Sequence, residues 1–311
     1  MNFERLIKHQ SIHQLRRARE WFRYVAQWRQ RREIDIQRLR EELSPIFVIG
    51  ANRSGTSVLS YLMSQHPDLE GIFCNDVEPQ YAESGHSLGF CESMHVWRHL
   101  VPDPEARWRR GHLPFWGLPS YIGQTYRDHA FGDRERRRLA WDVVRNRRTD
   151  KMPLIKNNLN SLRVGLITDV FPRARFVLIC RPLQDFTSRS IKKWSSDGSG
   201  TAFDRPLASF HWNMVNLVAR YDLEIFAPGR YAIVSLDELT AGPSQASDTF
   251  ARIAAELSLS PHVFDFTALA PHWKGDSALS SSLTCGFEEV RSIVESERQI
   301  LSGIHSHPGN A

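Results

Sequence analysis

The chain has 311 residues, 41% of them hydrophobic, enough to bury one large α/β core with an added cap, so one catalytic domain plus extensions is expected. Its formal charge of +5 resides wholly in residues 1–44, which hold 11 Lys/Arg and 6 Asp/Glu. The remainder holds 29 of each, so the body is not a generally basic nucleic-acid binder. Cys74, Cys91, Cys180 and Cys285 form no C-x-x-C pair, which argues against a zinc site or disulfide framework and suits reduced thiols. No uncharged apolar run approaches the ~18–20 residues of a membrane span. MNFERLIKHQ lacks the apolar centre of a signal peptide, so a cytoplasmic setting is expected.

Leu15, Ala18, Phe22, Val25, Ile36, Leu39 and Leu43 share a helical stripe between about Leu6 and Leu43. Arg29 and Arg32 interrupt it, so residues 1–44 read as a basic amphipathic helical arm and not as a long coiled coil. Docking on its own domain, or on a second subunit as a homodimer, is the preferred reading. Peripheral contact with an anionic membrane surface is the alternative, which Trp21, Phe22 and Trp28 among arginines would suit.

Residues 45–311 then form the α/β domain. Ile46–Ile49 reads as a buried parallel strand, Ser57–Gln65 as the helix after it, and Gly71–Cys74 as a second short strand. Residues about 85–150 mix tryptophans with arginines and turn residues, the composition of a mostly helical insertion over the sheet edge. Within it, Arg134–Arg138 (RERRR) reads as a solvated helix in preference to an anion-binding surface. PLIKNN supplies another strand, followed by a helix near Ser161–Val170. Ala174–Cys180 is the clearest buried strand; Tyr231–Leu239 supplies a strand and turn, and a helix runs from about Ser244 to Leu257. This alternation predicts a P-loop-type parallel sheet flanked by helices.

Two strand ends carry chemistry. A nucleotide-triphosphatase loop reads G-x-x-x-x-G-K-[ST]. In PIFVIGANRSGTSVL the glycines Gly50 and Gly55 keep that spacing, but Thr56 replaces the lysine and the cation has moved to Arg53, inside the loop. The glycines let successive N–H groups point inward, the helix starting near Thr56 adds its positive end, and Ser54, Thr56 and Ser57 offer hydroxyls. Together these suit a phosphate. Arg181, directly after the Ala174–Cys180 strand, suits a bidentate grip on a second phosphate or a structural ion pair. Ser188 and Ser190 follow on the next helix.

Taken together, these stretches resemble the sulfotransferases that use 3'-phosphoadenosine 5'-phosphosulfate (PAPS). Arg53-Ser54-Gly55-Thr56-Ser57 is similar to the family's R-S-G-T-[ST] loop, with His66-Pro67 at the usual place. FPRARFVLICR, Phe171 to Arg181, is similar to its F-P-x-A-[RK]-F-[IV]-x-[IVL]-x-R motif. Val234–Pro243 resembles its Y-E-D-L-x-x-x-P stretch. The resemblance spans about Pro45 to Leu259. It implies PAPS as donor, no metal requirement, Arg53 beside the transferring sulfuryl group, Gly55, Thr56 and Ser57 on the 5'-phosphate, and Arg181 on the 3'-phosphate.

Lys156 in LIKNN stands about where tyrosylprotein-type members carry a lysine that stabilises the bridging oxygen. A general base is implied soon after the second strand, and Glu78 is chosen over Asp76 and His86. The family's 3'-phosphate serine falls on Arg189, so Ser188, Ser190 or Arg189 completes that site. The closing glycine-rich element is matched only loosely, by HWKGDS at His272–Ser277. The acceptor is expected to be a hydroxyl, before an amine, of a small molecule, carbohydrate or lipid; no specific nucleic acid is implied. A P-loop kinase or nucleoside triphosphatase, and a non-catalytic nucleotide-binding interaction protein, are the competing readings.

Overall fold

A computed structural model describes residues 36–73, 93, 96–97, 132–194, 204–267, 269 and 273. Its internal contacts divide the chain into two units, Met1–Leu39 and Arg40–Ala311. Most of the expected arm and insertion lies outside the described residues. Helix α1 (Ile36–Glu42) is the described part of the arm. In the second unit the Arg40 guanidinium donates to the Val170 and Asp169 carbonyls at 2.9 and 2.8 Å. It thereby satisfies the open end of a helix, the work a basic residue does well at a C-terminus.

Among the described residues, five strands form one parallel sheet: β1 (Ile46–Ile49), β2 (Leu69–Gly71), β3 (Met152–Lys156), β4 (Arg175–Cys180) and β5 (Tyr231–Ser235). Their spatial order is β2-β3-β1-β4-β5. The chain leaves β1 toward one edge of the sheet and later crosses to the other. The carboxyl end of β1 is therefore a topological switch point, where open α/β sheets leave a crevice. β1 is buried throughout and β4 nearly so, because helices cover both faces and leave no solvent side for polar alternation.

Register then decides which side chain meets which helix. Ile46 pairs with Leu154 and Val48 with Lys156. Ile46, Val48 and Leu154 all belong to the cluster that includes Leu59 and Leu62 of α2 (Thr56–Met63) and Phe250 and Ile253 of α8 (Pro243–Glu256). A period of two puts Lys156 on that same face, beneath the start of α2. Phe47, one residue out of phase, stacks on Phe176 at 5.8 Å and on Trp97 at 5.7 Å.

In the middle of the chain come α3 (Asp133–Val144), a 3-10 turn (Asn158–Leu162), α4 (Val164–Val170), α5 (Leu183–Trp194), α6 (Asp204–Phe226) and α7 (Leu236–Ala241). Four local expectations differ. The second strand lies at Leu69–Gly71 and not Gly71–Cys74, because pairing with Met152–Leu154 sets it; Cys74 is outside the described residues. The helix expected from Ser161 is split: the Asn157 side chain accepts the Leu159 N–H at 3.0 Å and starts a tighter turn, after which α4 begins at Val164. The turn expected after the β5 segment is helix α7, opened by a capping box between Ser235 and Glu238, a signal the S-x-x-E spacing carries. The 23 residues of α6 went unanticipated. No described helix is long and apolar enough to cross a membrane.

Candidate functional site

The site is assembled at the carboxyl ends of β3, β1 and β4. Gly50 leaves β1 at φ 148°, and a Cβ there would stand 2.4 Å from the Ile179 carbonyl oxygen of the neighbouring strand. Only glycine allows the loop to turn this close to β4. Gly55, at φ 97°, is the N-cap of α2 and makes no side-chain cap bond. The first-turn N–H groups of a helix have no intrahelical acceptor, and no acidic residue occupies the first turn of α2. Ser54 is fully buried, and among the described residues its Oγ has no hydrogen-bond partner. Thr56 is also buried. A turn of backbone donors at a helix start, with an orphaned hydroxyl inside it, fits an anion of phosphate size.

Cations surround this cradle. The Lys156 ammonium is buried and donates to the Ser57 hydroxyl at 3.2 Å. This is the contact that the strand register sets up. Arg53 stands in the loop at φ 70° with an exposed side chain. Its guanidinium is nonetheless pushed below its ordinary pKa, first by loss of water on the loop side and then by the charge of Arg189.

Arg181, just beyond β4, is buried, and its pKa is pushed down to about 10. Burial is the main cause, then Arg189; Asp185 opposes, and Arg53 adds to the depression. Among the described residues its buried Nε has no hydrogen-bond partner, and neither Arg53 nor Arg181 forms an ion pair. Its backbone is held instead: the Trp212 indole N–H donates to the Arg181 carbonyl at 2.7 Å.

Among the described residues these three guanidiniums feel one another with no carboxylate in salt-bridge contact, and Asp185 and Asp237 only partly offset the charge on Arg181, so positive charge is in excess here. On α5, Ser188 and Arg189 are exposed, whereas Ser190 is buried. Glu78, with its alternatives Asp76 and His86, lies outside the described residues, as does most of the HWKGDS stretch. His66 has a structural task at the amino-terminal edge of the sheet. Its Nδ1 accepts the Asp68 N–H at 3.1 Å, and its Nε2 donates to the Ser260 carbonyl at 2.8 Å.

Sequence reading missed the residues that hold the loop from behind. The Ser161 hydroxyl, fully buried, accepts the Gly50 N–H at 2.8 Å and turns its proton toward the Asn158 and Gly50 carbonyls at 2.7 and 3.1 Å. The Asn158 amide donates to Asn52 Oδ1. Ser93 Oγ donates to the Ile72 carbonyl at 2.6 Å and accepts the Lys156 N–H at 2.9 Å. The cluster of Asn and Ser in NNLNS, directly after a strand, was the available signal.

Fold and site together define an α/β protein with a parallel sheet and, at its switch point, a glycine-bounded strand-turn-helix whose donors and cations suit an anion. The chain belongs to the sulfotransferase family, whose model matches residues 45–260. No curated protein sequence gives a significant match. Among solved structures, the sulfotransferase STF1 of Mycobacterium tuberculosis is similar at 16% identity and TM-score 0.46, covering 80% of this chain and 76% of that one. STF9 of Mycobacterium avium is similar at 17% and 0.45, with 83% and 76% covered. A sulfotransferase of Alicyclobacillus acidocaldarius is similar at 16% and 0.45, with 81% and 94% covered.

Proposed function

We propose that the chain transfers a sulfuryl group from PAPS to a hydroxyl, in preference to an amine, of a small-molecule, carbohydrate or lipid acceptor. The observation that carries this reading is the pair Arg53 and Arg181, two guanidiniums at neighbouring strand ends that form no ion pair among the described residues. A donor with anionic groups at both ends of one nucleoside would neutralise both. When bound, the donor supplies an activated sulfuryl group. The acceptor oxygen forms a bond to sulfur, the bond from sulfur to the bridging oxygen breaks, and its electron pair stays on the 5'-phosphate of the departing adenosine 3',5'-bisphosphate.

The N–H groups of Gly55, Thr56 and Ser57 hold the 5'-phosphate at the start of α2, with the Ser54 hydroxyl inside the turn. Arg181 holds the 3'-phosphate, with Arg189, Ser188 or Ser190 beside it. Lys156 and Arg53 supply positive charge where negative charge grows on the leaving oxygen. Fixed charge of this kind does its work without reorganising during the reaction. The acceptor proton passes to a general base, assigned to Glu78. None of these roles requires a metal ion.

Calorimetric titration with adenosine 3',5'-bisphosphate, and in parallel with ATP and magnesium, tests the reading. Tight binding of the bisphosphate with weak binding of ATP is expected. The reverse preference would identify a divergent kinase-type nucleotide enzyme. Bisphosphate binding without any consumption of PAPS would identify a non-catalytic nucleotide-binding protein.

A further inference from the structure

One short segment, Lys156 to Ser161, grips the phosphate loop at three points, and those points bracket Arg53. Before Arg53, the Ser161 hydroxyl accepts the Gly50 N–H at 2.8 Å, and the Asn158 amide donates to the Asn52 side chain. After it, Lys156 reaches Ser57 at 3.2 Å. Arg53 itself has φ 70°, a left-handed conformation that a residue with a Cβ keeps only where its surroundings overdetermine it. Its guanidinium makes no hydrogen bond or ion pair among the described residues. The turn that carries it, Ala51 to Ser54, is closed by the Ser54 N–H donating to the Ala51 carbonyl at 3.2 Å, and Asn158 holds the side chain of Asn52, the residue directly before Arg53 in that turn.

We propose that Asn158 is a positioning residue: through Asn52 it keeps Arg53 in the left-handed turn and so aims the guanidinium at the transferring group. The cradle does not need this bond. Its first glycine is tied separately by Ser161, and its donors come from the start of α2. Loss of the Asn158–Asn52 contact should therefore disturb transfer and leave nucleotide binding nearly intact. A catalytic group misplaced by about 1 Å typically loses on the order of 10²-fold in rate. The inference rests on the sulfuryl-transfer reading above.

The test compares the 311-residue wild type with Asn158→Ala, Asn52→Ala, Arg53→Ala and the double variant Arg53→Ala/Asn158→Ala. Adenosine 3',5'-bisphosphate affinity is measured by calorimetry, and single-turnover loss of sulfate-labelled PAPS is followed with a simple phenol as acceptor. Asn158→Ala should slow transfer about 10²-fold while bisphosphate affinity stays within about threefold. The double variant should be no slower than Arg53→Ala, because Asn158 acts through Arg53. Asn52→Ala removes the other half of the same bond and must reproduce the loss, which keeps the test valid if Asn158→Ala fails to fold.

Rate losses that multiply in the double variant, a parallel fall in nucleotide affinity, or a wild-type rate in both asparagine variants would each overturn the proposal. Wild-type protein that neither binds the bisphosphate nor consumes PAPS would overturn the functional reading itself, and this proposal with it.

Discussion

Arg181→Met should make the unliganded protein more stable and its nucleotide complex weaker, two effects of opposite sign from one substitution. The guanidinium is buried, its Nε lacks a partner among the described residues, and its pKa is pushed down to about 10 by burial and by the charges of Arg189 and Arg53. For a cation, a lowered folded-state pKa means that the folded protein disfavours the charged form. The penalty is fully present at neutral pH and is relieved only as pH rises through about 10. The displacement corresponds to about 3 kcal/mol at most. Methionine keeps much of the apolar stem, so lost packing offsets only part of the gain, and a net stabilisation of about 1–2 kcal/mol is expected.

In the complex the same cation would grip a phosphate, and truncating one partner of a buried charge pair costs about 2–5 kcal/mol. Bisphosphate affinity should then fall by about 10²-fold or more. Urea denaturation with and without the bisphosphate, together with calorimetric titration, measures both signs. If Arg181→Met is destabilised without ligand, or binds the bisphosphate as wild type does, Arg181 is a structural ion-pair residue and the two-guanidinium argument is wrong.

Arg53→Ala should lower kcat by about 10²–10³-fold with a much smaller change in donor affinity; equal losses in both, in a steady-state and binding comparison, would contradict its role. Gly50→Ala must place a Cβ 2.4 Å from the Ile179 carbonyl at a φ of 148°, so a loss of about 2–5 kcal/mol in urea unfolding is expected. Asp142, buried on α3, has its carboxyl pKa pushed up to about 6 by burial, against the opposing charges of Arg145 and Arg138. Between about pH 4 and 6 the folded state therefore binds more protons than the unfolded state, and stability falls as pH rises through that window. Asp142→Asn should flatten that slope, and a pH series of unfolding midpoints that still parallels wild type would refute the assignment.

Much of the sheet was readable because β1, β3 and β4 are buried on both faces and appear as short apolar runs. β2 was misplaced because three residues at a sheet edge carry little pattern of their own, and pairing with Met152–Leu154 sets their limits. Helix α6 is amphipathic, but its apolar residues face two different neighbours. Ala208 and Val215 pack with Phe186 and Ala51, whereas Val218 meets Leu159 and Leu162 and Met214 touches both groups, so no single stripe stands out. In the site, Arg53, Gly55 and Arg181 were legible because they follow strands and occupy motif positions. Ser161 and Asn158 were not, since hydrogen-bonding residues after a strand look alike whether they face water or a neighbouring loop.

What the sequence determined alone is the local chemistry: a glycine-bounded turn between strand and helix, a cation moved into it, and an arginine at the end of a second strand. Those features arise from contiguous residues, whose backbone preferences act without help from the rest of the chain. Only the tertiary structure decided that Lys156 meets Ser57, that Arg53, Arg181 and Arg189 feel one another's charge, and that Asn158 reaches Asn52. Each of these depends on β3 and β4 lying on either side of β1 in one particular register, and register is a property of paired strands that no single segment contains.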